Sequence, residues 1–272
     1  MIETRFVVSL PDVANLEDRR QVPIPRVGVR GVQLPVQIAS GKNGAFHTVA
    51  SVDFAVSLQP NKKGTHMSRL MQILDESAQY PLTLDELQRV LDRARNVLDA
   101  DRAEITMRFK YFLRKRAPIT GATGWLDADV EWAVTMENGS VTRLVRVNMP
   151  VKSLCPCSKQ IALYGAHNQR AYIRVEIELL PSTRDLDMED LCTLLEEQGS
   201  SPLYPVLKRP DEKYVTETAY DNAKFVEDIL RDSVLALRHL PGIRRFKVEC
   251  ESVESIHNHN AFAATEEWLS PL

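Results

Sequence analysis

Residues 47–58 read HTVASVDFAVSL, and residues 66–79 read HMSRLMQILDESAQ. The first stretch alternates apolar and polar side chains, the period of a strand with one buried face. In the second, Leu70, Ile73 and Leu74 fall at helical spacing. This change of period decides the fold class, because the chain goes on to make it again. LTLDELQRVLDRARNVLDA (82–100) is a second helical stretch, opened by a capping-box pattern at Thr83 and Glu86. AEITMRFKYFLRK (103–115) and DADVEWAVTME (127–137) return to the strand period. Upstream, VPIPRVGVRGVQLPVQI (22–38) mixes β-branched residues with prolines and reads as an edge strand with an irregular entry.

The second half shows the same order. GSVTRLVRVNMP (139–150) and RAYIRVEIELL (170–180) alternate. DLDMEDLCTLLEEQG (185–199) and DNAKFVEDILRDSVLALRHL (221–240) are helical, the latter closed by Pro241-Gly242. IRRFKVECESVES (243–255) and AFAATEEWL (261–269) are strands. The expectation is an α+β protein in which a ββααββ order occurs twice, over 21–138 and 139–272, after a loosely ordered segment 1–20. Strands that follow one another without helical crossovers pair antiparallel, and the helices collect on one sheet face. Such sheets leave edges open, so an oligomer that closes them is expected.

Of the 272 residues, 44% are hydrophobic and 26% charged, an ordinary globular composition. The net charge of −3 argues against a general nucleic-acid binder. The opening residues lack a signal-peptide pattern, and no stretch approaches the roughly 18–20 apolar residues of a membrane span. The expected location is therefore the cytoplasm. There the four cysteines, Cys155, Cys157, Cys192 and Cys250, stay mostly reduced, which favours ligand or reactive-thiol roles over disulfides.

Residues 153–170, SLCPCSKQIALYGAHNQR, carry the densest chemistry. Read as an extended segment, it projects Cys155 and Cys157 to one side, with Pro156 stiffening the pair. His167 can return through the Tyr-Gly-Ala bend. Thiolate and imidazole suit zinc or a similar divalent ion, and so few local ligands suit an open catalytic site better than a closed structural one. The same letters also fit buried thiols and an ordinary histidine. LKRPDEKY (207–214) reads as a solvated loop, or else as an anion patch with a carboxylate ligand. SIHNHN (255–260) places His257 and His259 in a loop after a strand, as surface residues or as site residues. GTHMSR (64–69) holds His66 and Arg69 at a helix start, which caps the helix or favours an anion. Glu227 lies on an amphipathic helix, where most glutamates face water.

Together, GTHMSR, SLCPCSKQIALYGAHNQR, KRPDEKYVTE, FVED and ESIHNHNAF resemble the type IB GTP cyclohydrolase I family, in family order and over residues 22–265. The resemblance implies a tunnelling fold of two ββααββ modules and a homotetramer with sites at subunit interfaces. It implies conversion of GTP and water to 7,8-dihydroneopterin triphosphate and formate, the entry to tetrahydrofolate synthesis. Under it, Cys155, His167 and Glu212, with Asp211 as the alternative to Glu212, hold one divalent metal: zinc, manganese or iron(II). The metal lowers the pKa of a water that attacks C8 of guanine. His257 is the implied proton shuttle, and Glu227 anchors guanine through paired hydrogen bonds. Cys157 is a second thiol near the metal or a positioning group. Lys159, Lys208, Arg209 and Arg69 are the phosphate candidates, with His66 contributing across an interface. No organic cofactor is implied.

Two other readings fit parts of the pattern. A nitrile reductase of the same fold would use a cysteine nucleophile and NADPH, but has no need of the His167 and Glu212 ligands. A purine-binding or redox-sensing module would bind without turnover.

Overall fold

The alternation read in 103–115 extends further at both ends. In β4 (Arg102–Arg116) every second residue from Ala103 to Leu113 is buried, and in β5 (Thr123–Glu137) the same holds from Ala128 to Met136. The computed structural model describes residues 11–40 and 44–269. The remaining strands are β1 (Ile24–Ser40), β2 (Gly44–Leu58), β3 (Pro81–Leu82), β6 (Ser140–Leu154), β7 (Asn168–Leu179), β8 (Ile243–Ser252) and β9 (Ala261–Trp268). The helices are α1 (Met67–Ser77), α2 (Leu84–Leu98), α3 (Pro156–Ile161), α4 (Met188–Glu196), α5 (Arg209–Asp221) and α6 (Val226–Arg238).

The strands form one nine-stranded sheet in the order β3-β1-β2-β4-β5-β6-β7-β8-β9. All neighbours are antiparallel except β1 and the two-residue β3. The α+β class read from the sequence therefore holds. The two tandem ββααββ modules are not confirmed in that plain form, although each half keeps two strands, then helices, then two strands. Three helices, α4, α5 and α6, separate β7 from β8, and α3 interrupts the turn from β6 to β7. β5 and β6 pair from Glu137↔Ser140 onward, so the sheet runs unbroken through the middle of the chain.

One face of the sheet is covered. Leu84, Leu87, Leu91 and Ala94 of α2 are buried, as are Leu70, Ile73 and Leu74 of α1, against Phe54, Ile105, Tyr111 and Trp132. Burying each such large side chain contributes about 1.5–3 kcal/mol. Thr83 caps α2 as its sequence indicates, its hydroxyl accepting the Glu86 N–H at 3.1 Å. Under the second half, Leu191 and Leu195 of α4 and Ile229 and Leu237 of α6 do the same against Ile173, Ile177 and Phe246. The opposite face is open and carries the alternate, charged residues of the strands. It forms a groove of about 970 Å³ lined by Arg108, Lys110, Glu131, Arg146, Arg174 and Glu176 among others.

Three local expectations are corrected. Residues 207–214 are not a loop, because they start α5. Pro210 sits in its first turn, where a missing N–H costs nothing, and the Asp211 carboxylate accepts the Lys208 N–H at 2.9 Å. The helical stretch 221–240 is broken, since α5 ends at Asp221 and α6 begins at Val226. Cys155-Pro156-Cys157 is not extended, because Cys155 is the N-cap of α3 and Pro156 its first residue. Of the segment expected to be loose, 1–20, residues 1–10 lie outside the described residues. Within the rest, Asp18 N–H donates to Asn61 O at 2.8 Å, and Leu16 and Ala14 carbonyls accept from Lys63 and Gly64. Backbone hydrogen bonds thus fasten this part to the chain before α1. No helix among the described residues is long and apolar enough to cross a membrane.

Candidate active site

The site is built where β6 stops and β7 starts. Leu154 pairs with Asn168, and one step further the Cys155 N–H donates to the His167 carbonyl at 3.1 Å. The excursion from Pro156 to Ala166 therefore returns to the point where it left. Gly165 makes the return possible, with φ of +78°, a conformation that costs glycine little. Cys155 is half-buried, and its Sγ accepts the Ser158 N–H at 3.5 Å. Cys157 is exposed on the first turn of α3.

His167 is held by residues the motif reading did not single out. Its Nδ1 is 2.9 Å from Gln169 Oε1. The Gln169 amide nitrogen donates to Ser252 Oγ at 3.0 Å and to Glu254 Oε1 at 3.2 Å. With that nitrogen committed, Oε1 accepts from the ring, so Nδ1 carries a proton and Nε2 is the nitrogen left for a ligand. Glu254 Oε2 stands 4.0 Å from the same Nδ1. A hydrogen-bonded Nδ1 beside a free Nε2 is how a ligating histidine is oriented. Gln169 lies inside the quoted motif, and only its register opposite β8 shows its role.

The same network reaches the His257 loop. Ser255 Oγ donates to Gln169 Oε1 at 3.5 Å, and Asn260 donates to Glu251 at 2.8 Å. The His257 and His259 rings stack at 5.1 Å with an interplanar angle of 17°, both exposed. On the other flank, the Lys224 N–H donates to the Leu154 carbonyl at 3.1 Å and Ser153 Oγ donates to Lys224 O at 3.3 Å. This pins the start of α6 beside the end of β6. Glu227 stands exposed in the first turn of α6. Asp228 takes the capping duty, accepting the Phe225 N–H at 3.1 Å, which leaves the Glu227 carboxylate free to accept from a ligand.

Other candidates do not gather here. Lys159 donates to the Tyr220 carbonyl at 2.5 Å and lies 4.4 Å over that ring, which docks α3 on the C-terminal end of α5. Glu212 is exposed at the opposite end of α5. Tyr220 lies eight residues further along the helix, or about 12 Å of rise. Lys208 and Arg209 share that far end, also exposed. Among the described residues no three of His, Cys, Asp and Glu cluster so as to hold a metal. Cys155 and His167 are brought together, and Glu212 is not. His66 and Arg69 lie elsewhere, His66 Nε2 at 3.4 Å from Asp12 and Arg69 donating to Val97 O at 3.3 Å.

Asp211, the alternative to Glu212, is fully buried and serves the fold. It accepts from the N–H groups of Ile119 and Thr120, both at 2.9 Å, and from the Thr120 hydroxyl at 2.6 Å, besides Lys208. Burial alone would raise its pKa. The hydrogen bonds from Thr120, Lys208 and Ile119 outweigh that and hold the carboxyl well below the usual range. The remaining thiols, Cys192 and Cys250, are buried in the core, which pushes both up to about 12 and makes them inert packing groups.

A thiol and an oriented imidazole thus stand at one strand end, flanked by a stacked histidine loop and the Glu227 carboxylate. Likeness to known proteins along nearly the whole chain gives the class: the protein is an enzyme, a GTP cyclohydrolase. A family model described as type I GTP cyclohydrolase folE2 matches residues 10–263. The protein named GTP cyclohydrolase FolE2 from Bordetella petrii is 44% identical over 257 residues, covering 94% of this chain and 96% of that one. Its namesake from Thiobacillus denitrificans is 44% identical over 260 residues, covering 95% of each. The chain belongs to the type I GTP cyclohydrolase FolE2 family. Among solved structures, uricase from Arthrobacter globiformis shares the fold with a TM-score of 0.57, over 90% of this chain and 93% of that one. At 8% identity that likeness concerns the fold alone.

Proposed function

We propose that the enzyme converts GTP and water to 7,8-dihydroneopterin triphosphate and formate, the first step toward tetrahydrofolate, as a type IB GTP cyclohydrolase I. The orientation of His167 by Gln169, beside Cys155, is the observation that carries this reading. Cys155 and His167 fit a divalent cation, as a thiolate and an imidazole with its free nitrogen defined. Glu212 is the carboxylate that would complete the set. A tunnelling-fold tetramer with sites between copies is the proposed assembly that brings Glu212 to this pair. Zinc, manganese or iron(II) held there would supply a water of lowered pKa for attack at guanine C8.

The chain's own groups do the rest. Glu227 accepts from the guanine ring N–H and exocyclic amine, a pattern adenine cannot offer. His257 protonates the imidazole-ring nitrogen that departs as the ring opens, since an imidazole can both give and take a proton. The His259 ring stacked on it restricts its motion. Cys157, exposed in the first turn of α3, would serve as a second thiol near the metal or as a positioning group for substrate. The cytoplasm, where these thiols stay reduced, is the proposed place of action.

Purified protein incubated with GTP and manganese is expected to release formate and a product that fluoresces as a pterin after oxidation. GTP bound without formate release would leave a binding module instead, and a requirement for NADPH would point to the reductase chemistry.

A further inference from the structure

The open face of the sheet is charged but almost fully compensated. On β6, β7 and β8 each of four cations there meets carboxylates. Arg146 pairs with Glu131 and Glu176, Arg174 with Glu249 and Glu251, Arg245 with Glu176, Glu178 and Glu266, and Lys247 with Glu176 and Glu266. Lys152 and Arg170 break the rule. They are directly opposite each other in the β6–β7 register and share this face. Neither has a side-chain hydrogen bond or an ion pair among the described residues. Opposed like charges on adjacent strands, with Cβ atoms about 5 Å apart, are destabilising.

The position of the pair adds to its cost. Lys152 is half-buried, and burial pushes its amine down with no carboxylate to offset it. Beyond the last β5–β6 pair, Asp129↔Asn148, the segment 199–201 runs along the strand of Lys152: Ser200 N–H donates to the Lys152 carbonyl at 2.8 Å, and the Lys152 N–H to Ser201 O at 3.1 Å. A Cβ on Gly199 would meet Val151 Cβ at 2.7 Å, so only glycine lets this segment lie so close. The Lys152 backbone is thus paired on both sides, with segment 199–201 on one and with Arg170 on the other. Lys152 stands three residues before Cys155, and Arg170 three after His167, roughly 10 Å along the strands.

We infer that Lys152 and Arg170 form the phosphate-binding subsite for the nucleotide, gripping its triphosphate while the base lies at Cys155 and His167. A planar guanidinium and a point-charge amine on one anion are complementary grips, the first bidentate. Of the cations expected from sequence, Lys159 is committed to Tyr220 and Arg69 to Val97, while Lys208 and Arg209 stand with Glu212 at the far end of α5 and would reach this pair only with it, across the proposed interface. This assignment rests on the GTP reading of the neighbouring residues, but its test does not depend on turnover.

The probe is inorganic tripolyphosphate, titrated calorimetrically into the wild-type protein and into Lys152→Gln, Arg170→Gln and Arg170→Lys. The wild type is expected to bind it in competition with GTP. Each glutamine variant should weaken that binding at least about tenfold, the effect of losing a hydrogen bond to a charged group. Arg170→Lys should recover part of it, and KM for GTP should rise by a matching factor while binding of guanosine, which has no phosphates, stays unchanged. A wild type that does not bind tripolyphosphate, or glutamine variants that bind it equally well, overturns the assignment. Arg170 is exposed, so Arg170→Gln alone decides the matter if Lys152→Gln fails to fold. A protein that loses tripolyphosphate with these variants yet makes no formate from GTP keeps the subsite and loses the proposed reaction.

Discussion

Gln169 is the residue whose substitution separates orientation from ligation. It touches His167, Ser252 and Glu254 and no group expected to react. Gln169→Leu removes the acceptor at Nδ1 and is expected to lower activity or metal affinity about 10–100-fold, read as a metal titration beside the rate. Equal affinity and rate would make the contact structural only. Glu227 has the opposite signature. Glu227→Ala would remove the two charge-assisted hydrogen bonds proposed for guanine, so kcat/KM for GTP should fall about a hundredfold or more with bound metal unchanged. Unaltered GTP kinetics would take Glu227 out of the pocket. At this scale the residue types Cys155, Cys157, His167 and His257 are legible in the sequence, because thiols and imidazoles in a short motif are rare and chemically loaded. Gln169, Glu254 and the Lys152–Arg170 pair are not, since their meaning depends on which strand lies opposite.

Among the elements, α5 owes its position to one buried carboxylate. Asp211 ties its first turn to the β4–β5 turn at Ile119 and Thr120. Because its folded pKa lies far below the unfolded value, the stability it contributes is complete above about pH 4 and drains away as the pH falls further. Asp211→Asn should therefore lower the melting temperature at neutral pH and flatten the acid side of the stability curve. An acid limb unchanged by this substitution would show that the carboxylate is not the tie. The Lys115–Glu196 pair between β4 and α4 is buried as well. Lys115→Met would strand a buried carboxylate and should cost about 3–5 kcal/mol in a denaturant titration. Element order is legible wherever one face is packed: alternation marks β4, β5, β7 and β8, and period marks α1, α2 and α6. LKRPDEKY reads as loop because only Val215 and Ala219 of α5 reach the core with Asp211, too sparse a stripe to show a period. The α3 turn is masked for a related reason, since none of its residues is buried.

Taken whole, the molecule presents one covered face, one charged face and two strand edges. Among the described residues, no strand pairs with the outer side of the eight-residue β9, and β1 is covered only over the two residues of β3. Edges of that length invite pairing, consistent with the proposed tetramer, whose mass sedimentation would report. A sequence fixes the pattern within each strand but not the copy that lies beside the last one, so the assembly that would carry Glu212 to Cys155 and His167 is the least legible part of the site. The most direct measurement of the central claim is elemental analysis of bound metal alongside formate release from GTP, in wild type, Cys155→Ala and His167→Ala. The account predicts near-stoichiometric metal and formate in the wild type, and loss of both together in each variant. Formate released at the wild-type rate by a metal-free Cys155→Ala protein would contradict it.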